Sequence, residues 1–276
     1  MAKLEVGFCE EKGVRPTMED THIVIPDLNK EFKIKGEKMA LFAVFDGHGG
    51  DNAAKCAKEI FPGILVKDQE FMTGNYERSL HNAFLKTDQE IMKRSEKEQW
   101  FNGCTAVVAL VVGKRIYTAN LGDAEATLAS KIGKEKITAL PLSTKHNPTD
   151  ESEKLRIEQA GGQVIYGRIN GTLAVSRSFG DYQFKYPYNK ALKDYVSVIP
   201  SLQMTPIGKN NPFLLISCDG LYEKFDYEQL VTFAEECYNN NKGKDLNAVC
   251  KAIVDEALKR ETGDNCTILM VVFKWK

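Results

Sequence analysis

The chain has 276 residues, 43% of them hydrophobic, which is enough for a sizeable core and gives no sign of disorder. Its 37 basic and 38 acidic residues are mixed along the sequence, so no basic face for nucleic acid is indicated. The seven cysteines are scattered and form no Cys-x-x-Cys pair, which favours reduced core thiols over disulfides or zinc ligands. No apolar run reaches the ~20 residues of a membrane span. We expect a cytoplasmic protein, with the nucleus as the alternative, that binds neither membranes nor nucleic acid.

The N-terminal third predicts two strands and then a more informative third one. Lys3–Cys9 and Thr21–Pro26 are rich in β-forming residues, and the charged stretch 27–38 is predicted to be a turn. The apolar run Leu41–Phe45 predicts a buried strand that stops at Asp46. His48 follows, surrounded by glycines, and a helix is predicted from Asn52. By itself this stretch is equally typical of an ordinary strand-to-helix turn with a solvated histidine.

The middle of the chain alternates helical and β patterns. Helices are predicted over 52–68, with an end or kink at Pro62, and over 75–98. Cys104–Val112 and Arg115–Ala119 form a predicted hairpin, and strands follow at 124–130 and 137–140. Residues 141–183 hold one short helix, 151–160, and β pieces broken by glycines. We interpret this segment as a flap that leaves the sheet.

The last third returns to regular elements. A strongly apolar strand, Phe213–Cys218, again ends on Asp-Gly, two helices are predicted at 227–239 and 246–260, and the final strand is Cys266–Trp275. Hairpin-linked strands and paired helices predict an α+β fold, with antiparallel sheets stacked on one another and covered by helix pairs. We expect one domain over residues 1–276, with the flap subdomain at about 141–183.

Aspartates recur at the strand ends. Asp46 and Asp219 each follow a strand, Asp264 precedes one, and Asp123 lies at a strand junction. If these ends converge, the carboxylates repel one another unless a cation neutralises them, and oxygen ligands select Mg²⁺ or Mn²⁺. With only four histidines in the chain, a His-rich metal site is disfavoured. Taken singly, Asp123 and Asp264 are better explained as turn residues, but the whole set, with Glu19 and Asp20, favours a metal site.

Ordered motifs add a specific resemblance. The matching segments are Arg15-Pro-Thr-Met-Glu-Asp20, Phe45-Asp-Gly-His-Gly-Gly50, Gly103-Cys-Thr-Ala106, Asn120-Leu-Gly-Asp123, Gly171-Thr-Leu-Ala-Val-Ser-Arg-Ser-Phe-Gly-Asp181, Ser217-Cys-Asp-Gly-Leu221 and Asp264-Asn265. They resemble, in order and over essentially one whole catalytic domain, the metal-dependent protein serine/threonine phosphatases of the type 2C (PPM) family. The resemblance implies a sandwich of two antiparallel β-sheets flanked by helices, with a binuclear Mn²⁺ or Mg²⁺ centre at one edge.

The resemblance also implies a metal-ligand set. Asp46 matches the ligand that bridges two ions in each subunit, and Gly47 matches a backbone carbonyl ligand. Asp219 and Asp264 match the residues that complete the first ion's shell. Asp123 matches a ligand of a third, weaker ion.

The remaining matched residues have other implied roles. Glu19 and Asp20 match carboxylates that act largely through metal-bound water, Arg15 matches the arginine that grips the substrate phosphate, and His48 matches the proposed general acid. The chain departs from the family pattern at Glu223, where the family usually has an aspartate of the third-metal site. A second departure is Glu125, where the family usually has arginine. The first change puts the third site in doubt, the second adds negative charge near the same region, and neither touches the residues assigned to the first two ions.

These residue types suit hydrolysis of phosphoserine and phosphothreonine on proteins by a metal-activated water, without a protein nucleophile. A fork-shaped arginine suits a phosphate dianion, and a histidine can protonate the departing alkoxide. One alternative is an inactive pseudophosphatase that serves as a binding module, but it predicts loss of a core metal aspartate. Another is a hydrolase of nucleotides, which the lack of a P-loop disfavours. We expect phosphoprotein substrates and a monomer.

Overall fold

The computed structural model describes residues 2–133, 136–188 and 193–275. Its strands are β1 (Lys3–Glu11), β2 (Thr21–Ile25), β3 (Met39–His48), β4 (Gly103–Val112), β5 (Arg115–Leu121), β6 (Glu125–Ile132), β7 (Lys136–Pro141), β8 (Val164–Ile165), β9 (Arg168–Ile169), β10 (Phe179–Gly180), β11 (Ser201–Pro206), β12 (Phe213–Ser217) and β13 (Cys266–Lys274). Its α-helices are α1 (Leu28–Phe32), α2 (Asn52–Val66), α3 (Gln69–Met72), α4 (Tyr76–Glu98), α5 (Glu151–Gln159), α6 (Asp219–Tyr222), α7 (Tyr227–Asn241) and α8 (Leu246–Lys259), and Tyr182–Phe184 forms a 3₁₀ turn.

Two large antiparallel sheets account for most of the strands. One is five-stranded, in the order β1-β13-β12-β6-β7; the other is six-stranded, in the order β11-β5-β4-β3-β2 with β10 paired to β4. β8 and β9 pair with each other in a small separate sheet. The α+β class and the antiparallel pairing predicted from the sequence are confirmed.

The alternation along β3 shows how the layers are stacked. Leu41, Ala43 and Phe45 pack with α2 and α4 on one face of the sheet. Ala40, Phe42 and Val44 point the other way, into an apolar layer that includes Leu214 of β12 and Leu269 of β13. The five-stranded sheet is covered on its far side by α7 and α8. Because both faces of these central strands are buried, their sequences are continuous apolar runs.

Several boundaries differ from the sequence-based expectation. β3 does not stop at Phe45: it continues through Asp46 to His48, because β4 is long enough to pair with it as far as Gly103. α2 passes through Pro62 without ending there, because that turn is held by its buried apolar face. The stretch 27–38 contains the helix α1, capped by the Asp27 side chain, and was wrongly predicted as a turn. The sequence analysis also missed β11, an edge strand with exposed positions.

The predicted flap region has a small apolar core of its own. Ile157 of α5 packs with Ile169, Phe184 and Val196, so the cluster extends past residue 183. The flap boundary and the single-domain assignment stay predictions. Among the described residues, no helix is both long enough and apolar enough to cross a bilayer.

Candidate metal centre

Asp46 is placed by the pairing of β3 with β4. It lies opposite Thr105, and the next residue, Gly47, lies opposite Cys104. A side chain at Gly47 would bring its Cβ within 2.4 Å of the Glu19 carbonyl oxygen. Glycine is therefore required for the segment between β1 and β2 to lie against the end of β3.

Two further aspartates, Asp123 and Asp219, lie close to Asp46 although they come from other parts of the chain. Asp219 begins α6 just after β12, and Asp123 lies between β5 and β6. The carboxylate oxygens of Asp46, Asp123 and Asp219 lie within 4.8 Å of one another. Since β3 and β12 belong to different sheets, the cluster joins the two layers at one edge of the sandwich. The predicted convergence of strand-end carboxylates is present for these three.

The crowding changes the proton affinity of each carboxylate. Burial, followed by the charges of Asp20 and Asp219, raises the pKa of Asp46 well above its usual range. Burial, then Asp123 and Asp264, raises the pKa of Asp219 to about 7. The pKa of Asp123 is also raised, chiefly by burial. A divalent cation removes this cost, because it offsets both the desolvation and the mutual repulsion.

A cavity of about 370 Å³ opens over the cluster. Among the predicted site residues, its lining includes Arg15, Glu19, Asp46, Gly47, His48, Asp123, Asp219 and Asp264. Asp20 and Glu223 are not part of this lining.

Asp20 is buried. Its Oδ2 has no hydrogen-bond partner among the described residues. Burial outweighs the favourable contacts from Thr267 and Cys218 and raises its pKa to about 6. An unpartnered buried carboxylate oxygen close enough to act on Asp46 and Asp219 fits a cation site better than a purely structural role.

Glu19 and Glu223 are both engaged in holding loops. Glu19 accepts hydrogen bonds from Thr17 Oγ1 at 2.8 Å and from the Gly50 amide at 3.0 Å, which fixes the turn after β3. Glu223 accepts from Thr262 Oγ1 at 2.9 Å and from the Gly263 amide at 3.1 Å. Glu223 thus supports the loop that carries Asp264, and its role as a third-metal ligand stays a prediction.

Arg15 is paired with Asp264. Its Nη2 donates to Asp264 Oδ2 at 2.7 Å and its Nε to the Gly263 carbonyl at 3.0 Å. Asp264 therefore lies in the cavity wall but is engaged with a guanidinium, unlike the other three aspartates. The phosphate-binding role of Arg15 is not tested by this arrangement.

His48 has a buried partner that the sequence analysis did not assign. Its Nε2 lies 2.8 Å from Asp181 Oδ2, and Ser178 Oγ donates to the same oxygen. A Cβ at Gly103 would lie 2.3 Å from Asp181 Oδ2 and 2.7 Å from His48 Nε2, so the pair requires glycine there. Burial opposes the charged imidazole, but Asp181 outweighs it and raises the pKa of His48. Membership in a matched motif was the only sequence signal for Asp181.

Arg168 was also missed. It lies on β9 in the predicted flap, lines the cavity, and donates from Nη1 to the Thr172 carbonyl at 2.8 Å. It brings a second guanidinium to the cavity wall, opposite in charge to the carboxylate cluster. No sequence pattern distinguishes it from the other arginines of the chain.

Comparison with known proteins agrees with this geometry. The chain is 34% identical over 283 residues to "Protein spalten" of Dictyostelium discoideum, covering 99% of this chain but 28% of that protein. It is 36% identical over 288 residues to "Probable protein phosphatase 2C 6" of Paramecium tetraurelia, covering 98% of this chain and 93% of that protein. The crystal structure of serine-threonine phosphatase 2C from Toxoplasma gondii has the same fold, with a TM-score of 0.84 at 20% identity over 98% of this chain and 95% of that one.

The family model described as "Protein phosphatase 2C" matches residues 4–266. That range holds the carboxylate cluster, the His48–Asp181 pair and both cavity arginines. The resemblance seen in the sequence motifs is therefore confirmed, and the chain belongs to the protein phosphatase 2C family.

Proposed function

We propose that this chain hydrolyses phosphoserine and phosphothreonine monoesters on proteins at a binuclear Mn²⁺ or Mg²⁺ centre. The observation that carries the proposal is the convergence of Asp46, Asp123 and Asp219 within 4.8 Å at the floor of a cavity. Membership in the family and the naming of relatives as protein phosphatase 2C support it. Cytoplasmic phosphoprotein partners and a monomeric state are part of the same proposal.

The donor set fits hard divalent cations. Every candidate ligand offers oxygen, and no sulfur or imidazole nitrogen belongs to the described cluster of three carboxylates. Asp46 and Asp219, with the Gly47 carbonyl and Asp264, would hold two ions, and Asp123 a third, weaker one. The chemistry supplied by such ions when bound is neutralisation of phosphoryl oxygens and acidification of a water.

The chain's own residues supply binding and proton transfer. Arg15 and Arg168 present guanidinium groups to the cavity, where they can orient the oxygens of a phosphate dianion. Asp181 holds the His48 ring through Nε2, so the ring keeps one direction in the cavity wall. His48 is then placed to protonate the seryl or threonyl oxygen as it leaves.

A pseudophosphatase that only binds partners is not favoured. That alternative requires loss of a core carboxylate, whereas Asp46, Asp219 and Asp264 are all present and all line one cavity. Burial and the neighbouring carboxylates raise the pKa of Asp219 to about 7, which is consistent with a site that a cation would neutralise.

The proposal is tested by hydrolysis of a phosphothreonine peptide with Mn²⁺ and with a chelator, using nucleoside triphosphates as alternative substrates. We expect turnover of the peptide that is lost in chelator and restored by excess Mn²⁺. Turnover of nucleotides alone would show a different substrate class. Absence of peptide turnover under all metal conditions would support the binding-module alternative.

A further inference from the structure

The cavity of about 370 Å³ over the carboxylate cluster is called the metal cavity below. A second cavity, of about 410 Å³, lies beside it. The two share four wall residues, which are His48, Gly49, Thr172 and Leu173. The second cavity continues past them to Phe101, Asn102, Asp181, Gln183 and Phe184. Its size is within the roughly 300–1,000 Å³ of ordinary ligand clefts.

The second cavity, which we call the side cavity, differs from the first in charge. The metal cavity has Arg15 and Arg168 in its wall, whereas no lysine or arginine is among the described residues that line the side cavity. The Asp181 carboxylate in its wall is buried and already accepts from His48 and Ser178. Apart from His48 and Thr172, the surface that remains for a ligand comes from aromatic and aliphatic groups and neutral amides.

Phe101 is the exposed apolar group of this wall, with 47% of its surface accessible. Its ring packs edge-on against Tyr182, with the centroids 5.7 Å apart, and Tyr182 stacks on Tyr188. The neighbouring Asn102 is fixed, since its Oδ1 accepts from the Ala53 amide at 2.9 Å and its carbonyl accepts from the Asp181 amide at 3.2 Å. An aromatic ring held in place on one side and open on the other loses little entropy when it binds.

We propose that the side cavity binds an apolar, preferably aromatic, side chain adjacent to the phosphorylated residue of the substrate. This inference rests on the proposed phosphopeptide hydrolysis. Successive Cα atoms are only 3.8 Å apart, so a peptide with its phosphate in the metal cavity can place a neighbouring residue across the shared wall at His48 and Leu173. An acidic neighbour would find no lysine or arginine among the described residues of this wall, and it would lie near the Asp181 carboxylate.

The test uses phosphothreonine peptides that are identical except for one residue, which is Phe, Ala or Asp, placed in turn at each of the two positions before and after the phosphothreonine. We expect the wild-type kcat/KM to be about tenfold higher with Phe than with Ala at one of these positions, and lowest with Asp. In Phe101→Ala, the ratio of the Phe to the Ala peptide should fall towards one. The ratio is internal, so a general loss of activity cancels from it.

Two further variants keep the inference open to disproof. Met72→Ala, which removes an exposed apolar side chain outside both cavities, should retain the wild-type ratio. Gln183→Lys, which adds a cation to an exposed position of the side cavity, should raise the relative rate of the Asp peptide. Equal wild-type rates for the Phe and Ala peptides at every position, or an unchanged ratio in Phe101→Ala, would overturn the side cavity as a subsite. Failure to hydrolyse any of the peptides would instead contradict the proposed function.

Discussion

The carboxylates of the metal cavity and the carboxylate of Glu153 differ in their neighbours. Asp46, Asp123 and Asp219 face one another in the metal cavity, and their pKa values are raised. Glu153 of α5 is also buried, but it lies between two arginines, with Oε1 2.5 Å from Arg177 Nη2 and Oε2 3.0 Å from Arg156 Nη2. Burial opposes its charged form, yet Arg177 outweighs burial and lowers its pKa to about 2.

A carboxylate paired with arginines, as at Glu153, stabilises the fold, whereas carboxylates that face one another, as in the metal cavity, are suited to binding a cation. Around Glu153 the arginines also donate to the Ser176 and Ile199 carbonyls, at 2.7 Å and 2.8 Å, so ion pairs and hydrogen bonds join α5 to the chain after it. In the metal cavity, negative charge is concentrated without comparable compensation. Folding tolerates that cost because a cation can remove it, and the removal couples metal binding to stability.

Removing a carboxylate of the metal cavity should have the largest effect of these substitutions on phosphopeptide turnover. Asp219→Asn keeps the side-chain shape but loses a charged ligand, so we expect phosphopeptide turnover with Mn²⁺ to fall by roughly a thousandfold or more. The control is Asp255→Asn, which changes an exposed carboxylate of α8. Near-normal turnover in Asp219→Asn would contradict the assignment of the cavity as the metal centre.

Replacing Glu153, the carboxylate paired with two arginines, should lower the stability of the fold more than the catalytic activity. Glu153→Gln leaves Arg156 and Arg177 without their buried counter-charge, and breaking such a buried pair costs about 3–5 kcal/mol. The free energy of unfolding, measured in urea, should fall accordingly. Glu158→Gln, in the same helix but with an exposed side chain, should change it little. Equal effects of the two substitutions would show that the Glu153 network is not a structural element.

The His48–Asp181 pair offers a sharper distinction within the cavity wall. Asp181→Asn keeps a hydrogen-bond acceptor but loses the charge that holds the imidazole, and we expect kcat for a phosphopeptide to fall about tenfold. Hydrolysis of an aryl phosphate should fall less, because its leaving group needs little protonation. A similar loss on both substrates would indicate that Asp181 is only structural.

A pH-dependent effect is expected at His146, a buried base. Its Nδ1 accepts from the Gly122 amide at 3.1 Å and its Nε2 lies 2.7 Å from Ser201 Oγ, which fits the neutral ring with the proton on Nε2. Burial, then Arg177, lowers the pKa of His146 to about 4. Because the unfolded chain takes up this proton below its usual pKa of about 6.5, stability should decrease as pH falls from 6.5 towards 4, by up to about 1.4 kcal/mol per pH unit.

The matched measurement is the free energy of unfolding of the wild type and of His146→Gln between pH 4 and 7. The advantage of the wild type over the variant should be largest near pH 7 and should shrink as the pH falls. A difference that is independent of pH would mean that His146 is protonated, or exposed, in the folded protein.

The strand-end aspartates were predictable because their signal is local. An apolar run followed by Asp-Gly marks the last residues of β3 and the end of β12, at Asp46 and Asp219, and the stacking of the two sheets brings these positions together. The extension of β3 to His48 was not predictable in the same way. It depends on pairing with β4, and no property of residues 46–48 themselves indicates a strand.

The remaining features of the site depend on contacts between distant parts of the chain. His48 and Asp181 are 133 residues apart, and the side-cavity wall combines Phe101 with Gln183. Glu153 and Arg177 are 24 residues apart and are joined by the irregular path of the chain after α5, whose course no periodicity specifies. Motif resemblance identified the segments, but it gave neither the partner of His48 nor the character of the second cavity.

The central claim, that the uncompensated carboxylates form a cation site, is tested most directly by thermal unfolding of the wild type and Asp219→Asn in chelator and in Mn²⁺. At a free Mn²⁺ concentration of about a hundred times Kd, binding should stabilise the wild type by about 2.7 kcal/mol, and Asp219→Asn much less. In chelator the variant should melt at or above the wild type, since a repelling charge has been removed. An equal response of both proteins to Mn²⁺, with the variant less stable in chelator, would contradict the account.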